Sequence, residues 1–138
     1  MTSASPCGVR ILGTGSVVPD IIVGNAELAD RFDVDEAWIE QRTGILERRY
    51  CDEDTGTFEL QVQALQKALD DSSLKGSDLS LVICASVTSE MTCPSNACRV
   101  ASEVNAAPAG AFDLVAACSG FVYAMNVADS LIKSGSHH

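Results

Sequence analysis

The chain has 138 residues, 46% of them hydrophobic, which is enough apolar content for one packed globular domain. Acidic residues outnumber basic residues by 19 to 9, so the formal charge is −10 and neither a nucleic acid nor an anionic membrane surface is expected as a partner. No apolar run approaches the roughly 18 residues of a membrane span, and residues 1–7 lack the features of a signal peptide. We therefore expect a soluble, cytoplasmic protein.

The first predicted element is a strand that begins at Val9 and leads into a glycine-rich turn at Gly13 and Gly15. Two glycines so close together are also found in dinucleotide-binding loops. That fingerprint requires a third glycine three residues later and a helix directly behind it, whereas Val18 and Pro19 stand there. The sequence therefore does not predict a dinucleotide site.

The next part of the chain contains signals for three helices and a strand. They are predicted over residues 25–32, 35–41, 45–51 (the strand) and 57–71. Asn25 and Asp35 are the expected N-caps of the first two helices, and Gly44 is expected to end the second. The acidic residues 52–54 are interpreted as a solvated loop, because no further metal ligands follow them in sequence.

Strands alternate with helices in the remaining part of the chain. Residues 79–85 are a continuous apolar run, typical of a strand that is covered on both faces, and residues 111–116 are predicted as another buried strand. Pro94 is expected at the first position of a helix that buries Ala97, Val100 and Ala101. A final helix is predicted from Cys118 to about Lys133, closed by Gly135. This order predicts a layered α/β fold.

The final predicted helix is apolar around nearly its whole circumference. Its large hydrophobic residues are Phe121, Val122, Tyr123, Met125, Val127, Leu131 and Ile132. A helix on the protein surface keeps one polar face, so this one is expected to lie between two covering layers.

Cys118, at the start of that helix, is the best candidate for a nucleophile. A thiol in the first helical turn faces unpaired backbone N–H groups and the positive end of the helix dipole, which stabilise a thiolate and any anion formed beside it. Such a site suits acyl transfer. The alternative is that Cys118 is a small buried residue that serves only packing.

The other cysteines are Cys7, Cys51, Cys84, Cys93 and Cys98. Their irregular spacing favours reduced thiols over a disulfide framework. No Cys-x-x-Cys pair is present, and the two histidines, His137 and His138, lie at the C-terminal end, so a metal site is not expected. The sequence leaves open whether these histidines are native or part of a purification tag.

Four motifs, taken in order, resemble beta-ketoacyl-acyl-carrier-protein synthase III, the condensing enzyme that starts type II fatty-acid synthesis. They are Gly13-Thr-Gly15 with Pro19 and Asn25, residues 36–49 with Trp38 and Arg42, Pro94-Ser-Asn-Ala-Cys98, and Phe112-Asp-Leu-Val-Ala-Ala-Cys118-Ser-Gly-Phe121. The resemblance extends from about Val9 to Gly135. It implies a thiolase fold with two similar layered α-β-α-β-α halves. Each half carries a five-stranded mixed sheet, and the catalytic helix is buried between the layers. Residues 1–138 resemble only the N-terminal half, so the chain is expected to be truncated.

The resemblance also implies roles for three residues. Cys118 would hold the acyl group, with its own backbone N–H in the oxyanion hole. Trp38 would stack on the adenine of coenzyme A, and Arg42 would pair with its phosphates. The alternatives are that Trp38 anchors its helix in the core and that Arg42 is an ordinary surface charge. Acyl-CoA is expected as a substrate and not as a permanently bound cofactor. Acyl carrier protein is expected to carry the acceptor, and the assembly is expected to be a homodimer.

Three departures from the family pattern modify these expectations. Val34 replaces a hydroxyl residue four positions before Trp38. Cys93 replaces an aromatic residue that reaches the partner's acyl pocket, which predicts tolerance of acyl groups larger than acetyl. The His and Asn that stabilise the malonyl-derived carbanion belong to the second half, so these 138 residues alone are expected to be inactive in condensation. Other thiolase-fold ketosynthases of secondary metabolism, a relative of HMG-CoA synthase, and a non-catalytic dimerisation module are the alternatives.

Overall fold

The computed structural model describes residues 8–137, so Cys7 and His138 lie outside the described part. The described residues divide into two compact units, residues 18–56 and residues 8–17 together with 57–137. None of the described helices has the length and apolar character that crossing a membrane would require.

The smaller unit pairs two strands with two helices. Its elements are β1 (Ile21–Gly24), α1 (Asn25–Phe32), α2 (Glu36–Thr43) and β2 (Glu47–Tyr50). The strands are antiparallel, with Ile21 opposite Tyr50. As predicted, the Asp35 carboxylate caps α2 and accepts the N–H of Ala37 at 2.6 Å, and Gly44 ends the helix at a positive φ of 68°.

The predicted N-cap at Asn25 is wrong. Gly24 is the N-cap residue and makes no side-chain cap, while Asn25 is the first helical residue and is buried. Its side chain donates to the Ile45 carbonyl at 2.8 Å and accepts from the Arg48 guanidinium at 2.7 Å. These bonds bring α1 and the segment before β2 together, so the Asn25 side chain is not available to cap its own helix.

The larger unit is a β-α-β arrangement with additional helices. In chain order it contains α3 (Thr57–Ser72), a 3₁₀ turn (Gly76–Asp78), β3 (Leu81–Ala85), α4 (Asn96–Glu103), β4 (Gly110–Leu114), a second 3₁₀ turn (Ala117–Ser119) and α5 (Gly120–Lys133). Strands β3 and β4 are parallel, with Leu81 opposite Gly110. The mixed α/β class is confirmed. The implied five-stranded sheet is not found, because the described residues form two sheets of two strands each.

The core lies on one face of the β3–β4 pair. Alternate residues of β3, Val82 and Cys84, are buried there against α3 and α4. The other buried members of this cluster are Leu69, Ala97, Val100, Ala101, Val104 and Ala106. The three residues predicted for the buried face of α4 are therefore confirmed.

Helix α4 begins later than predicted, because Pro94 precedes the N-cap and does not occupy the first helical position. Ser95 is the N-cap, and its hydroxyl accepts the Cys98 N–H at 3.2 Å. The Asp113 carboxylate of β4 accepts the N–H groups of Asn96 and Ala97 at 2.9 and 2.8 Å. These two caps fix the start of the helix at Asn96.

The predicted strand at residues 9–12 is wrong, since no described strand pairs with this segment. The segment that follows runs along α3: the Thr14 N–H donates to Asp71 at 2.9 Å and Lys67 donates to the Ser16 carbonyl at 3.1 Å. A Cβ on Gly15 would overlap the Ala64 carbonyl oxygen. This glycine permits close packing against a helix, which gives it a structural reason other than a nucleotide loop.

Helix α5 covers the opposite face of β3, where Leu81 and Ile83 line a cavity of about 750 Å³ together with Phe121, Met125 and Ile132. The helix ends in a Schellman motif at Gly135, whose φ is 76°. After the buried Gly120 its first turn is exposed, with Phe121 72% accessible and Val122 64% accessible. The expected second covering layer is absent from the described part of the chain.

Candidate active site

Cys118 lies on a tight turn that follows β4. The strand ends at Leu114, the 3₁₀ turn spans Ala117–Ser119, and α5 begins at Gly120. The thiol is exposed, so the alternative in which Cys118 serves only core packing is wrong for the described structure. A thiol at the carboxyl end of a parallel strand lies where α/β proteins most often bind their ligands.

The predicted helix start at Cys118 is wrong by two residues. Ala117 has a positive φ of 45°, which is unusual for a residue with a Cβ and which interrupts the helical backbone. The Ser119 N–H still donates to the Ala116 carbonyl at 3.0 Å, and this bond closes the turn. Cys118 is therefore presented by a separate turn in front of the helix and does not belong to its first turn.

The N-terminus of α5 remains close to the thiol and has no side-chain cap. Ser119 is the N-cap residue, and its hydroxyl makes no capping bond. The first N–H groups of a helix have no partners within that helix, and they carry the positive end of its dipole. Gly120 is buried, and a Cβ there would come within 3.3 Å of the Ala85 Cβ, so this glycine lets the start of α5 pack closely on the end of β3.

Trp38 and Arg42 lie on α2, in the smaller unit, one helical turn apart. Both side chains are exposed, and residues four apart share one face of a helix. Ile39 is the buried residue of α2, so Trp38, at 52% accessibility, is not the residue that anchors this helix. An indole face and a guanidinium on one open surface suit a purine and a phosphate.

Arg42 differs from its basic neighbours because it has no hydrogen bond or ion pair within residues 8–137. Arg48 donates to the Val23 carbonyl at 3.1 Å and to Asn25, and Arg49 pairs with Glu47 at 3.8 Å. Those two guanidinium groups already have protein partners. Arg42 is thus the one of the three whose donors are open to a ligand.

A segment that connects β3 to α4, residues 86–93, is joined to the strand that leads to Cys118. The Ser86 N–H donates to the Leu114 carbonyl at 3.3 Å, directly after the last pair of the parallel strands, Ala85 and Leu114. Arg99 of α4 forms a 2.7 Å ion pair with Glu90 of this segment. Sequence reasoning did not single out Glu90, Arg99 or Asp113, although an aspartate inside an apolar strand is itself a signal of a buried polar contact.

The other thiols differ from Cys118 in their surroundings. Burial, and then the nearby Asp113 carboxylate and Cys98, raise the pKa of Cys84 to about 11. Cys98 donates weakly to the Ala111 carbonyl at 3.7 Å. Within residues 8–137 no group of three or more His, Cys, Asp or Glu side chains has the arrangement of a metal site.

Comparison with known families finds a match in the region around Cys118. The model of the family 3-oxoacyl-[acyl-carrier-protein (ACP)] synthase III matches residues 112–138, which include β4, the Cys118 turn and α5. A beta-ketoacyl-[acyl-carrier-protein] synthase III of Natranaerobius thermophilus is 44% identical over 128 residues, which are 93% of this chain and 39% of that protein.

Two solved structures extend the comparison to the fold. The 3-oxoacyl-[acyl-carrier-protein] synthase III of Aquifex aeolicus superposes with a TM-score of 0.89 at 41% identity, over 94% of this chain and 42% of that one. The priming beta-ketosynthase of the R1128 polyketide biosynthetic pathway gives a TM-score of 0.90 at 36% identity, over 93% and 38%. The resemblance drawn from the motifs is confirmed, and the chain spans about two fifths of the length of these relatives.

Proposed function

We propose that this chain is the part of a beta-ketoacyl-acyl-carrier-protein synthase III that carries the nucleophile, with Cys118 as the residue that accepts the acyl group. The observation that carries the proposal is the exposed thiol on the turn between β4 and an uncapped α5, inside the segment that the family model matches. The similarity to curated synthases over 93% of the chain supports the same activity.

In the first half-reaction, the Cys118 thiolate attacks the carbonyl carbon of an acyl-CoA thioester. A new carbon–sulfur bond forms, and the bond to coenzyme A breaks, so the coenzyme leaves as a thiolate that takes up a proton. The carbonyl oxygen is negatively charged in the tetrahedral intermediate, and the Cys118 backbone N–H is the proposed donor for it. The Ser119 and Gly120 N–H groups already bond to the carbonyls of Ala116 and Ala117. Covalent capture divides one difficult condensation into two easier steps.

In the second half-reaction, malonyl on acyl carrier protein loses carbon dioxide, and the resulting carbanion attacks the Cys118 thioester. The new carbon–carbon bond forms as the cysteine leaves as a thiolate, which regenerates the enzyme. The resemblance assigns stabilisation of the carbanion to a His and an Asn outside these residues. Losing one such donor costs on the order of 100-fold to 1000-fold in rate, so the 138 residues alone are expected to accept an acyl group without condensing it.

Trp38 and Arg42 are proposed to bind coenzyme A, by stacking on the adenine and pairing with phosphate. Their shared exposed face on α2 and the unpaired guanidinium of Arg42 support this role. Because a guanidinium–phosphate contact is electrostatic, the contribution of Arg42 is expected to weaken as salt concentration rises.

The test is the intact mass of the chain before and after incubation with acyl-CoA. We expect one acyl adduct on the unmodified chain and none on Cys118→Ala, while Cys93→Ala, which removes another exposed thiol, keeps the adduct. Trp38→Ala and Arg42→Gln are expected to raise the acyl-CoA concentration needed for half-maximal labelling by about tenfold each. Arg49→Gln, whose parent side chain is already paired with Glu47, is the matched control.

An adduct that persists in Cys118→Ala, or the absence of any adduct on a chain of the correct mass, contradicts the proposed nucleophile. A product that depends on acyl carrier protein, formed by these residues alone, contradicts the assignment of carbanion stabilisation to residues outside them.

A second candidate is a priming ketosynthase of secondary metabolism, favoured by the TM-score of 0.90 to the R1128 enzyme. The resemblance implies that both activities use the same cysteine and differ in the acceptor and in the acyl pocket. Cys93, where relatives often carry an aromatic residue, leaves more room for that group. We expect branched or medium-chain acyl-CoAs to label Cys118 at least as fast as acetyl-CoA, and a clear preference for acetyl-CoA would contradict the larger pocket.

A further inference from the structure

Segment 86–93 is held to the rest of the larger unit by two sets of side chains. At one end, the Thr88 hydroxyl lies 3.1 Å from the hydroxyls of both Ser86 and Thr57. At the other end, one Glu90 oxygen pairs with Arg99 at 2.7 Å and the second accepts the Phe58 N–H at 3.3 Å. The segment has no regular secondary structure, so these contacts determine its position.

Arg99 is the centre of the second set of contacts. Its guanidinium lies 4.0 Å from the centroid of the Phe58 ring, within the range of a cation–π interaction. The same group pairs with Glu90 and donates to the Asn96 side-chain oxygen at 3.3 Å. A fork held by a ring, a carboxylate and an amide has little freedom to rotate, unlike a typical surface arginine.

The fixed segment begins next to the end of β4, the strand that leads to the Cys118 turn, and it presents apolar side chains. Ser86 bonds to Leu114, four residues before Cys118. Val87 is 63% accessible, Met91 is 41% accessible, and Val115, on the strand side of the turn, is 73% accessible. Exposed apolar side chains on segments that meet at the strand end before Cys118 suit an acyl chain.

We propose that Glu90 and Arg99 are positioning residues for acyl selection, because their ion pair fixes segment 86–93 beside the Cys118 turn. This inference rests on the proposed function, since it requires that Cys118 accepts the acyl group. Neither residue contacts the thiol, and neither is needed for labelling as such. Their effect is on which acyl groups reach Cys118 fastest.

The test compares initial rates of Cys118 labelling by acetyl-CoA, isobutyryl-CoA and octanoyl-CoA. In Glu90→Gln and Arg99→Gln we expect the ratio of the fastest to the slowest of these labelling rates to fall about threefold, because a looser segment discriminates less between acyl groups. Arg99→Lys keeps the charge beside Glu90 and Phe58 and is expected to restore most of the discrimination. Amide hydrogen exchange in segment 86–93 is expected to rise in the two Gln variants.

Asp129→Asn is the matched control, because it breaks a 2.9 Å ion pair with Lys133 that lies within α5. It should leave unchanged both the ratios of the labelling rates and the amide hydrogen exchange in segment 86–93. Labelling at Cys118 with unchanged ratios in both Gln variants overturns the inference and leaves the proposed function standing. Absence of labelling on the unmodified chain contradicts the proposed function, and the inference falls with it.

Discussion

Helices α4 and α5 each follow one strand of the same parallel pair, but their N-termini differ. Ser95 and the Asp113 carboxylate occupy three N–H groups at the start of α4, whereas Ser119 makes no cap for α5. Helix α4 is buried on one face, and the first turn of α5 is exposed and apolar. Two helices that occupy similar places in the fold thus differ in their capacity to receive a ligand.

This difference shows that a helix N-terminus is useful for binding only when the protein leaves its donors open. A carboxylate already bonded to the first N–H groups of α4 satisfies them and neutralises much of the dipole there. At α5 no side chain caps these donors, although the preceding 3₁₀ turn bonds the Gly120 N–H to the Ala117 carbonyl. An exposed thiol precedes them. The α4 end therefore contributes to stability, and the α5 end is the one suited to chemistry.

The largest expected effect is a difference in thiol reactivity between the two regions. Cys84 lies in the core beside α4, where its pKa of about 11 leaves little thiolate at pH 8. We expect iodoacetamide to modify Cys84 about 100-fold more slowly than Cys118 in the native chain. Peptide mapping after timed labelling measures both rates, and in denaturant the two should converge. Similar rates in the native chain would remove the contrast between a structural and a reactive cysteine.

The second prediction compares two valines, one on each helix. Val100 of α4 is 1% accessible and Val122 of α5 is 64% accessible. Val100→Ala is expected to lower the free energy of unfolding by about 1–3 kcal/mol through lost burial and a cavity, and Val122→Ala by less than about 0.5 kcal/mol. Urea unfolding of both variants provides the measurement.

A loss in Val122→Ala as large as that in Val100→Ala would mean that the α5 surface is covered in solution. A sizing column run at several concentrations would then show whether a second copy covers it. A dilute monomer together with equal losses would contradict the exposure of α5 that distinguishes the two helices.

The sequence predicted elements best where the determining contacts are local. Asp35 and Gly44 bound α2 as expected, because a cap and a positive-φ glycine act within a few residues. The strand predicted at residues 9–12 and the cap at Asn25 were wrong because distant partners decide both. A strand needs a neighbour to pair with, and Arg48 and Ile45 engage the Asn25 side chain from about twenty residues away.

At the candidate site, too, local features could be predicted from the sequence and long-range contacts could not. Cys118 could be singled out from its position at a predicted helix start, but the positive φ of Ala117, which separates the thiol from α5, has no sequence signal of its own. The link between Glu90 and Arg99 depends on how segment 86–93 folds back on α4. Periodicity describes single elements and carries no information about such a link.

The third prediction concerns the cap that distinguishes α4. Asp113→Asn keeps the size of the side chain but leaves one acceptor oxygen for two N–H groups, so one of them loses its partner. We expect a loss of about 1–2 kcal/mol in the free energy of unfolding. Asp129→Asn on exposed α5 should change it by less than about 0.5 kcal/mol. Equal stability of the two variants would show that the Asp113 bonds are not what secures the start of α4.

The smallest expected effect is the acid sensitivity of the Glu90 ion pair beside α4. The Arg99 hydrogen bond, and then the Phe58 N–H, hold the pKa of Glu90 below its ordinary value. A carboxyl whose pKa is lower in the folded chain stabilises it above about pH 4, and this contribution disappears as pH falls through the folded-state pKa. Glu90→Gln should therefore be slightly less stable than the unmodified chain at pH 6, and the difference should shrink as the pH falls below about 4. Thermal unfolding from pH 6 downward measures the difference, and a difference that does not shrink in acid would mean that Glu90 acts through its shape rather than its charge.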